Sequence, residues 1–476
     1  LGAGTALKAT NLGTVNLASL NTGAGSTIGV TIDSSTDQST LYNIAGGASF
    51  GTGTTLDVRL LSLGDVEGTY KVLQAGTLTG AGNIVTSTDS IPFIFDSDLV
   101  TTTPNEVSVT IRQKTATELG LNRSEGTILD AVLDSADLDL GIAGTFLGVD
   151  NSEDLRAALQ QMLPEHSGGA FETATKGSRL TNKIFLDPNP PIVEKNNLGF
   201  WLQQVAWGSS KSIGSTSSYD VTGWGASAGV EKPLGAIGSL GLSLGYLAGR
   251  DEHDVNNNEL ISNQYEGGIY WRGAWGPLKA FARGTVSTLN FDGKRFFNGV
   301  VDGDEVTREA QGDWKGTMYS ATAGVAYDVQ FGSFSVRPTA TIEHYSLKEK
   351  GYTETGGGDA FDLIVDSRKS DETAATGTLN LGYAIKQSRD NDDGWMRVEL
   401  EGGRRQILSG NLGDTTAHFA DGTPFTLVAE DRTSGWLGGL RLIGGGEGFV
   451  LSGEVNAEEL QNDVSIGGRL GLQFTF

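Results

Sequence analysis

The chain has 476 residues with 69 glycines, 10 prolines and no cysteine, and a formal net charge of −24. The length admits two or three domains, or one large barrel with an appendage. The charge excludes nucleic-acid binding through a basic surface, and with no run near the ~20 apolar residues of a membrane helix, only strands could cross a bilayer.

The glycine content without a strict repeat is neither collagen-like nor that of a disordered chain. The lack of cysteine fits an ordinary cytosolic chain and equally an exported bacterial one. A start at Leu1, with neither Met nor a signal sequence, predicts a processed or truncated product whose export signal is missing.

Residues 1–115 are rich in Gly, Thr, Ser, Leu and Val, with short β-type runs broken by turn residues. Examples are Gly13–Leu17, Ser26–Ile32, Thr55–Leu60 and Thr69–Leu73. They recur as a weak repeat and predict a β-solenoid fragment, with a small β-sandwich as the alternative. Residues 116–197 change character. Ile128, Leu129, Val132 and Leu133 in Ser124–Leu133 fall at helical spacing. Asn151 then reads as an N-cap, with Glu153 and Asp154 in the first turn, for a helix carrying Leu155, Leu159 and Met162 and stopping before Pro164.

A third helical stretch, Ser167 to about Leu186, mixes Gly168, Gly169, Ala170, Ala174, Gly177 and Ser178 with Glu172, Lys176, Arg179 and Lys183. It has too little apolar surface for a core helix and too many glycines for a good free one. At ~1.5 Å per residue it spans roughly 30 Å, the thickness of a bilayer's hydrocarbon core.

From Leu198 onward, about twelve β-type segments follow one another, each alternating apolar and polar residues. Phe334, Val336, Ala340 and Ile342 oppose Arg337 and Glu343; Met396, Val398 and Leu400 oppose Arg397, Glu399, Glu401 and Arg405; Phe449, Leu451 and Val455 oppose Glu454. In the final segment Leu470, Leu472, Phe474 and Phe476 oppose Arg469, Gln473 and Thr475. Tight turns at 232–235, 275–277, 331–333 and 444–448 alternate with long polar loops near 252–259, 292–305, 351–360 and 411–424, as expected of a membrane barrel with one short-turn rim.

A sheet of about twelve strands closes into a barrel too wide for side chains to fill. Apolar faces turned inward would line a void, whereas the charged faces are tolerable in a wet lumen. The expectation is therefore that Arg337, Glu343, Arg397, Glu399, Glu401, Arg405 and Glu454 face the lumen. Trp201, Trp207, Trp271, Trp395, Phe449 and Phe476 are expected in interfacial girdles. The stretch at about 166–186 is expected to thread the lumen as a pore helix, meeting wall charges through Glu172, Lys176, Arg179 and Lys183. A two-sheet soluble sandwich, and a helix lying outside the barrel, are the competing readings.

Leu163-Pro-Glu-His-Ser-Gly-Gly-Ala-Phe171 before the pore helix, Gly199-Phe-Trp-Leu202 opening the barrel, and Tyr219-Asp-Val-Thr-Gly-Trp-Gly-Ala-Ser-Ala-Gly-Val230 in the second strand together carry a resemblance. So does the ending Arg469-Leu-Gly-Leu-Gln-Phe-Thr-Phe476. Over about residues 160–476 the chain resembles the monomeric type V autotransporters. Gly68-Thr-Tyr-Lys-Val-Leu-Gln-Ala-Gly-Thr-Leu-Thr-Gly80 is similar to a closing element of their β-helical passengers.

The resemblance implies an all-β-dominated fold: a 12-stranded antiparallel transmembrane β-barrel with a helix in the lumen, preceded by a helical linker and a β-solenoid fragment. It divides the chain into passenger end (1–115), helical linker (116–197) and translocator barrel (198–476). It implies a protein of the Gram-negative outer membrane that exports and anchors its own passenger at the cell surface. Its expected partners are the lipid bilayer, the barrel assembly machinery and periplasmic chaperones, with no nucleic acid and no cofactor, and the barrel is expected to be monomeric. Arg469, Gly471, Phe474 and Phe476 correspond to the assembly signal. Relatives that cut themselves use an Asn-Asn pair within the pore helix. Here Asn196-Asn197 lies after it and only Asn182 within it, so self-cleavage is not expected.

No enzyme is expected from the remaining residues. His166, His253, His344 and His418 lack ligand spacing, Asp302-Gly-Asp-Glu305 lacks a full calcium-loop pattern, and no Gly-x-Ser-x-Gly elbow is present. A porin-like passive channel with an accessory domain, and an adhesin acting through residues 1–115, remain the other functional readings.

Overall fold

Long alternating segments can hide their apolar faces only by closing against one another or by meeting lipid, and this chain does both. The computed structural model describes all residues except 10–11, 88–90, 102, 189, 192, 194–196, 253–256, 387–393, 421 and 476. Twelve antiparallel staves form the barrel: β1 (Gly199–Lys211), β2 (Tyr219–Pro233), β3 (Ser239–Glu252), β4 (Glu259–Trp275), β5 (Leu278–Val301) and β6 (Asp304–Tyr327). The remaining six are β7 (Phe334–Glu349), β8 (Arg368–Lys386), β9 (Trp395–Asn411), β10 (Ser434–Gly446), β11 (Phe449–Leu460) and β12 (Asp463–Thr475). A three-residue piece, Val329–Phe331, also pairs with β7. β12 closes the ring on β1, from Gly199 opposite Thr475 to Gly208 opposite Ile466.

The apolar faces point outward. Leu470 is 64% exposed while its neighbour Arg469 is 2% exposed, and Leu242, Leu400, Val455 and Ile466 follow the outward pattern. The outward turn of Leu470, with Arg469 and Gln473 turned inward, agrees with the expectation for the last strand; Phe476 lies outside the described residues.

Two expectations fail. Trp201 and Trp207 belong to no lipid girdle: both are buried in the lumen. Trp201 donates from Nε1 to the Tyr270 hydroxyl at 2.9 Å, and the Trp207 ring fills space left by Gly177 and Gly223. An indole beside two glycines packs inward where no lipid anchor is needed. Second, residues 292–305 form no long loop. β5 and β6 run on as a hairpin to a two-residue turn at Asp302-Gly303, because inward Arg295 and Phe297 continue the alternation while the outward positions meet water. The rim of long connections thus also carries this tight turn and another at Gln461-Asn462.

Residues 1–113 build a stack of parallel strands. Thr27 pairs with Thr55, 28 residues on, and Tyr42 with Leu73, 31 residues on. The repeat is thus a coil of roughly 30 residues. Ile28, Val30, Leu56 and Val58 fill its interior with Tyr42 and Ile44. Glu106–Gln113 and Phe95–Val100 end the stack with antiparallel pairs.

Four helices follow: α1 (Arg123–Ala136), α2 (Leu140–Leu147), α3 (Ser152–Met162) and α4 (Gly169–Asn182). α1 begins three residues after a left-handed Gly120, and Asn122 and Glu125 form a reciprocal capping box. Asn151 caps α3 as expected, whereas α2, capped by Asp139, is not evident from the sequence pattern. α1–α3 share one core with the solenoid, with Phe297 of β5 and with a four-stranded sheet made by the long connections. Those strands are Tyr352–Thr353, Leu363–Val365, Thr415–Phe419 and Phe425–Leu427. The helices and the sheet together cap the long-loop rim.

Candidate functional site: the plugged lumen

α4 and the 3₁₀ turn Lys183–Leu186 lie inside the barrel, and every residue of α4 is buried. Fourteen helical residues and four 3₁₀ residues span about 29 Å at ~1.5 and ~2.0 Å each. Gly168, at φ +98°, makes the entry turn that a side chain would strain. Small residues let the helix lie against one wall. A Cβ on Gly169 would stand 2.0 Å from Asp251 Oδ2, and one on Gly177 would stand 2.7 Å from Trp207 Cη2.

Charges on the helix meet charges on the wall in tiers. At the entry, Arg368 Nε donates to Glu349 at 2.7 Å and its Nη2 to the Glu165 carboxylate. One tier down, Glu172 accepts from Arg432, and from Arg179 of its own helix at 3.1 Å. Lys176 donates to Glu458 at 2.9 Å, and Arg405 joins Glu343 and Glu372. On the opposite wall Ser178 donates to Glu266 at 2.7 Å, and Arg283 bridges Glu266 and Asn182. In the lowest tier Lys183 meets Glu454 and Glu401, and Arg441 ties Glu454 to Glu399, which also holds Arg337 and Arg397.

The helix ends in two anchors. Phe185 sits among Trp201, Tyr270 and Phe281 with ring centroids 4.7 to 5.5 Å apart. Asp187 accepts two hydrogen bonds from Arg469 of β12, at 2.6 and 2.9 Å, with both side chains fully buried. A carboxylate and guanidinium matched two-to-two fix orientation as well as distance.

The structure places Arg337, Glu343, Arg397, Glu399, Glu401, Arg405 and Glu454 on the inner wall, and Glu172, Lys176, Arg179 and Lys183 on the plug. Of the ending residues, Arg469 points inward. Gly471 also faces inward, where a Cβ would meet Ser452 Oγ at 2.8 Å, and Phe474 stacks outward on Phe200 at 5.5 Å. Sequence reasoning missed the roles of Asp187, Arg283 and Arg441. Strand parity was signal enough for the wall residues, but Asp187 lies in a break before Pro188 where no period applies.

His166 sits above the plug, buried beside Ser124 of α1 at 2.8 Å and the Pro164 carbonyl at 2.9 Å, and burial pushes its imidazole down to about 4. Glu165, also buried, is held below the ordinary carboxylate range because the Arg368 charge outweighs the cost of burial. Asp302 lies at the tip of the β5–β6 hairpin, His344 and His418 sit apart, and His253 and Asn196 fall outside the described residues. Among the described residues no group of three or more His, Cys, Asp or Glu side chains could hold a metal ion.

Residues 200–442, 243 of the 476 by inclusive count, match the autotransporter beta-domain family. The chain belongs to that family. The autotransporter barrel is therefore a monomeric outer-membrane translocator domain, and its long-loop rim faces the cell exterior. The chain is 25% identical over 314 residues to an extracellular serine protease of Serratia marcescens, a match covering 60% of this chain and 28% of that protein. It therefore spans less than a third of that relative. Among solved structures it is similar to the translocator domain of autotransporter NalP from Neisseria meningitidis (TM-score 0.47, 16% identity, 65% of this chain and 98% of that one). It is also similar to the beta domain of the Bordetella autotransporter BrkA (TM-score 0.41, 14% identity, 58% and 98%).

Proposed function

We propose that this translocator exported the segment ahead of its helices and now holds it at the cell surface, with residues 1–115 as the end of that passenger. The observation that carries the reading is the path of the chain. It descends from the parallel stack through the α1–α3 cap, then through the lumen as α4, to reach the inner rim where β1 begins. A polypeptide left in the pore is what passage through the pore leaves behind. Passenger end, helical linker and barrel then correspond to 1–115, 116–197 and 198–476. The solenoid coils supply stepwise folding outside the membrane, where no ATP is at hand.

In this reading the barrel assembly machinery recognises the ending that contains Arg469, Gly471, Phe474 and Phe476, after periplasmic chaperones deliver the chain. The proteolytic activity in the name of the Serratia relative belongs to a protein of which this chain spans 28%.

The test is conductance across a planar bilayer. The intact protein should conduct weakly, and deletion of residues 164–186 should raise conductance severalfold. A large conductance unchanged by the deletion would instead favour a passive channel. Surface display of residues 1–115, read by protease accessibility on intact cells, is the companion measurement.

A further inference from the structure

Four exposed lysines gather at the outer rim: Lys315, Lys348 and Lys369 on the outward faces of β6, β7 and β8, and Lys350 one residue beyond the end of β7. Lys348 and Lys369 are directly opposed across the β7–β8 ladder. The Lys350 N–H donates to the Lys315 carbonyl at 2.9 Å, so that pair is opposed across β6 and β7 as well. Opposed like charges destabilise a sheet, and here two such pairs lie side by side in a chain whose net charge is −24.

Elsewhere on the same rim, cations are paired. Arg250 lies 2.6 Å from Glu252 and 2.7 Å from Glu259, and Lys294 lies 3.7 Å from Glu309. Asp313 and Asp371 flank the lysine quartet, yet no carboxylate of the described residues comes within 4.0 Å of its four ammonium groups.

Height identifies what these cations face. Phe334 and Tyr383, tilted against each other with ring centroids 5.2 Å apart at the inner rim, mark the lower edge of the lipid band. Lys348 and Lys369 lie fourteen residues above them on β7 and β8 (348 − 334 and 383 − 369). At ~3.3 Å per residue and ~40° tilt that is about 35 Å, beyond an apolar band about 25 Å tall. Tyr319, exposed on the outward face of β6, sits between the lysines and the lipid-facing residues below.

We propose that the quartet binds the phosphate groups of phosphorylated glycolipid in the outer leaflet, so that one stretch of the barrel wall carries a fixed lipid headgroup. Two opposed lysine pairs about 7 Å apart along the strand offer an anionic headgroup several charge-assisted hydrogen bonds at once. The cost of placing like charges in opposition is then met by the ligand.

The test uses the full chain in nanodiscs containing phosphorylated glycolipid or its enzymatically dephosphorylated form. With the wild type, the phosphorylated lipid should raise the heat-modifiability midpoint and co-purify at about one molecule per barrel. The variant Lys315→Gln/Lys348→Gln/Lys350→Gln/Lys369→Gln should lose at least tenfold in retained lipid and show no midpoint difference between the two lipids. Equal retention by variant and wild type would overturn the proposal. So would a wild type indifferent to dephosphorylation, an arm that does not depend on the variant folding. Inorganic phosphate at millimolar concentration reproducing the midpoint rise would overturn the lipid assignment in favour of a free-anion site.

Discussion

Replacing Asp187 with Asn removes one charge while keeping the side chain's size. Arg469 would keep Glu454 at 3.3 Å as its remaining carboxylate, and Arg441, 3.7 Å from Asp187, would keep Glu399 and Glu454. Breaking a buried ion pair ordinarily costs about 3–5 kcal/mol. The surviving partners put this case at the lower end, about 3 kcal/mol. At roughly 2–4 °C per kcal/mol for a domain of this order of size, the heat-modifiability midpoint should fall by about 6 to 12 °C. The lost contact is the one tying the end of the plug to the closing strand, so bilayer recordings should also show more frequent opening. Exchanging the charges, with Asp187→Arg in an Arg469→Asp background, should recover part of the midpoint. Asp187→Asn with wild-type midpoint and wild-type conductance would refute the idea that this pair latches the plug.

Gly177→Leu should force the helix away from Trp207 and cost about 1–3 kcal/mol. It should be seen as a lower midpoint and altered Trp fluorescence, whereas Gly402→Ala, whose Cβ would meet open space, should change neither. Asn122→Ala removes the capping side chain of α1 and should cost about 1 kcal/mol of cap stability, read by hydrogen exchange in residues 123–136. His166 titrates at about 4 when folded, against 6.5 when free. Its depressed value means that its contribution, of order 3 kcal/mol, is fully present above pH 6.5 and is lost as pH falls towards 4. His166→Gln should flatten that part of the stability–pH curve, and an unchanged curve would contradict the assignment. Phe474→Ala and Phe476→Ala should each lower the amount of barrel assembled in the outer membrane, measured on membrane fractions, and normal levels of both would count against the ending as an assembly signal.

The barrel was legible in the sequence because a stave bathed in lipid on one side and water on the other must alternate at every step. Parity alone therefore put Arg337, Glu399, Arg405 and Glu454 on the inner wall, where they lie. Trp201 and Trp207 were misread not by this rule but against it, because residue type was allowed to outweigh parity. They share an inward face with Gln203 and Val205 on β1, and an aromatic side chain does not by itself say lipid. The helix was visible for the opposite reason: its composition suits no ordinary environment, neither a core nor open water. What stayed hidden was anything set by a partner distant in the chain. Asp187 is an acid before a proline until Arg469, 282 residues on, turns it into an anchor. α2 is eight residues whose exposed Leu140 gives no clean stripe, and it is held by Phe297 of a hairpin that reads locally as a loop.

That last contact also constrains how the molecule must come together. Phe146 of α2 stacks on Phe297 at 6.2 Å, Arg308 of β6 holds Asp139 at 2.7 Å, and Arg295 of β5 donates to the Met162 carbonyl at 2.9 Å. The cap is therefore built jointly from linker helices and barrel strands, so neither side can complete it before the other is in place. α4 emerges directly beneath this cap, and its entry residue Glu165 is held by Arg368 of β8. Docking of α1–α3 on the outer rim and seating of α4 in the lumen are then two ends of one event. A variant that undoes the cap, such as Phe297→Ala, should loosen the plug from above as Asp187→Asn does from below. If the two act through the same seated state, the double variant's midpoint should fall by less than the two single falls added together. Strict additivity would mean that cap and latch hold the helix independently.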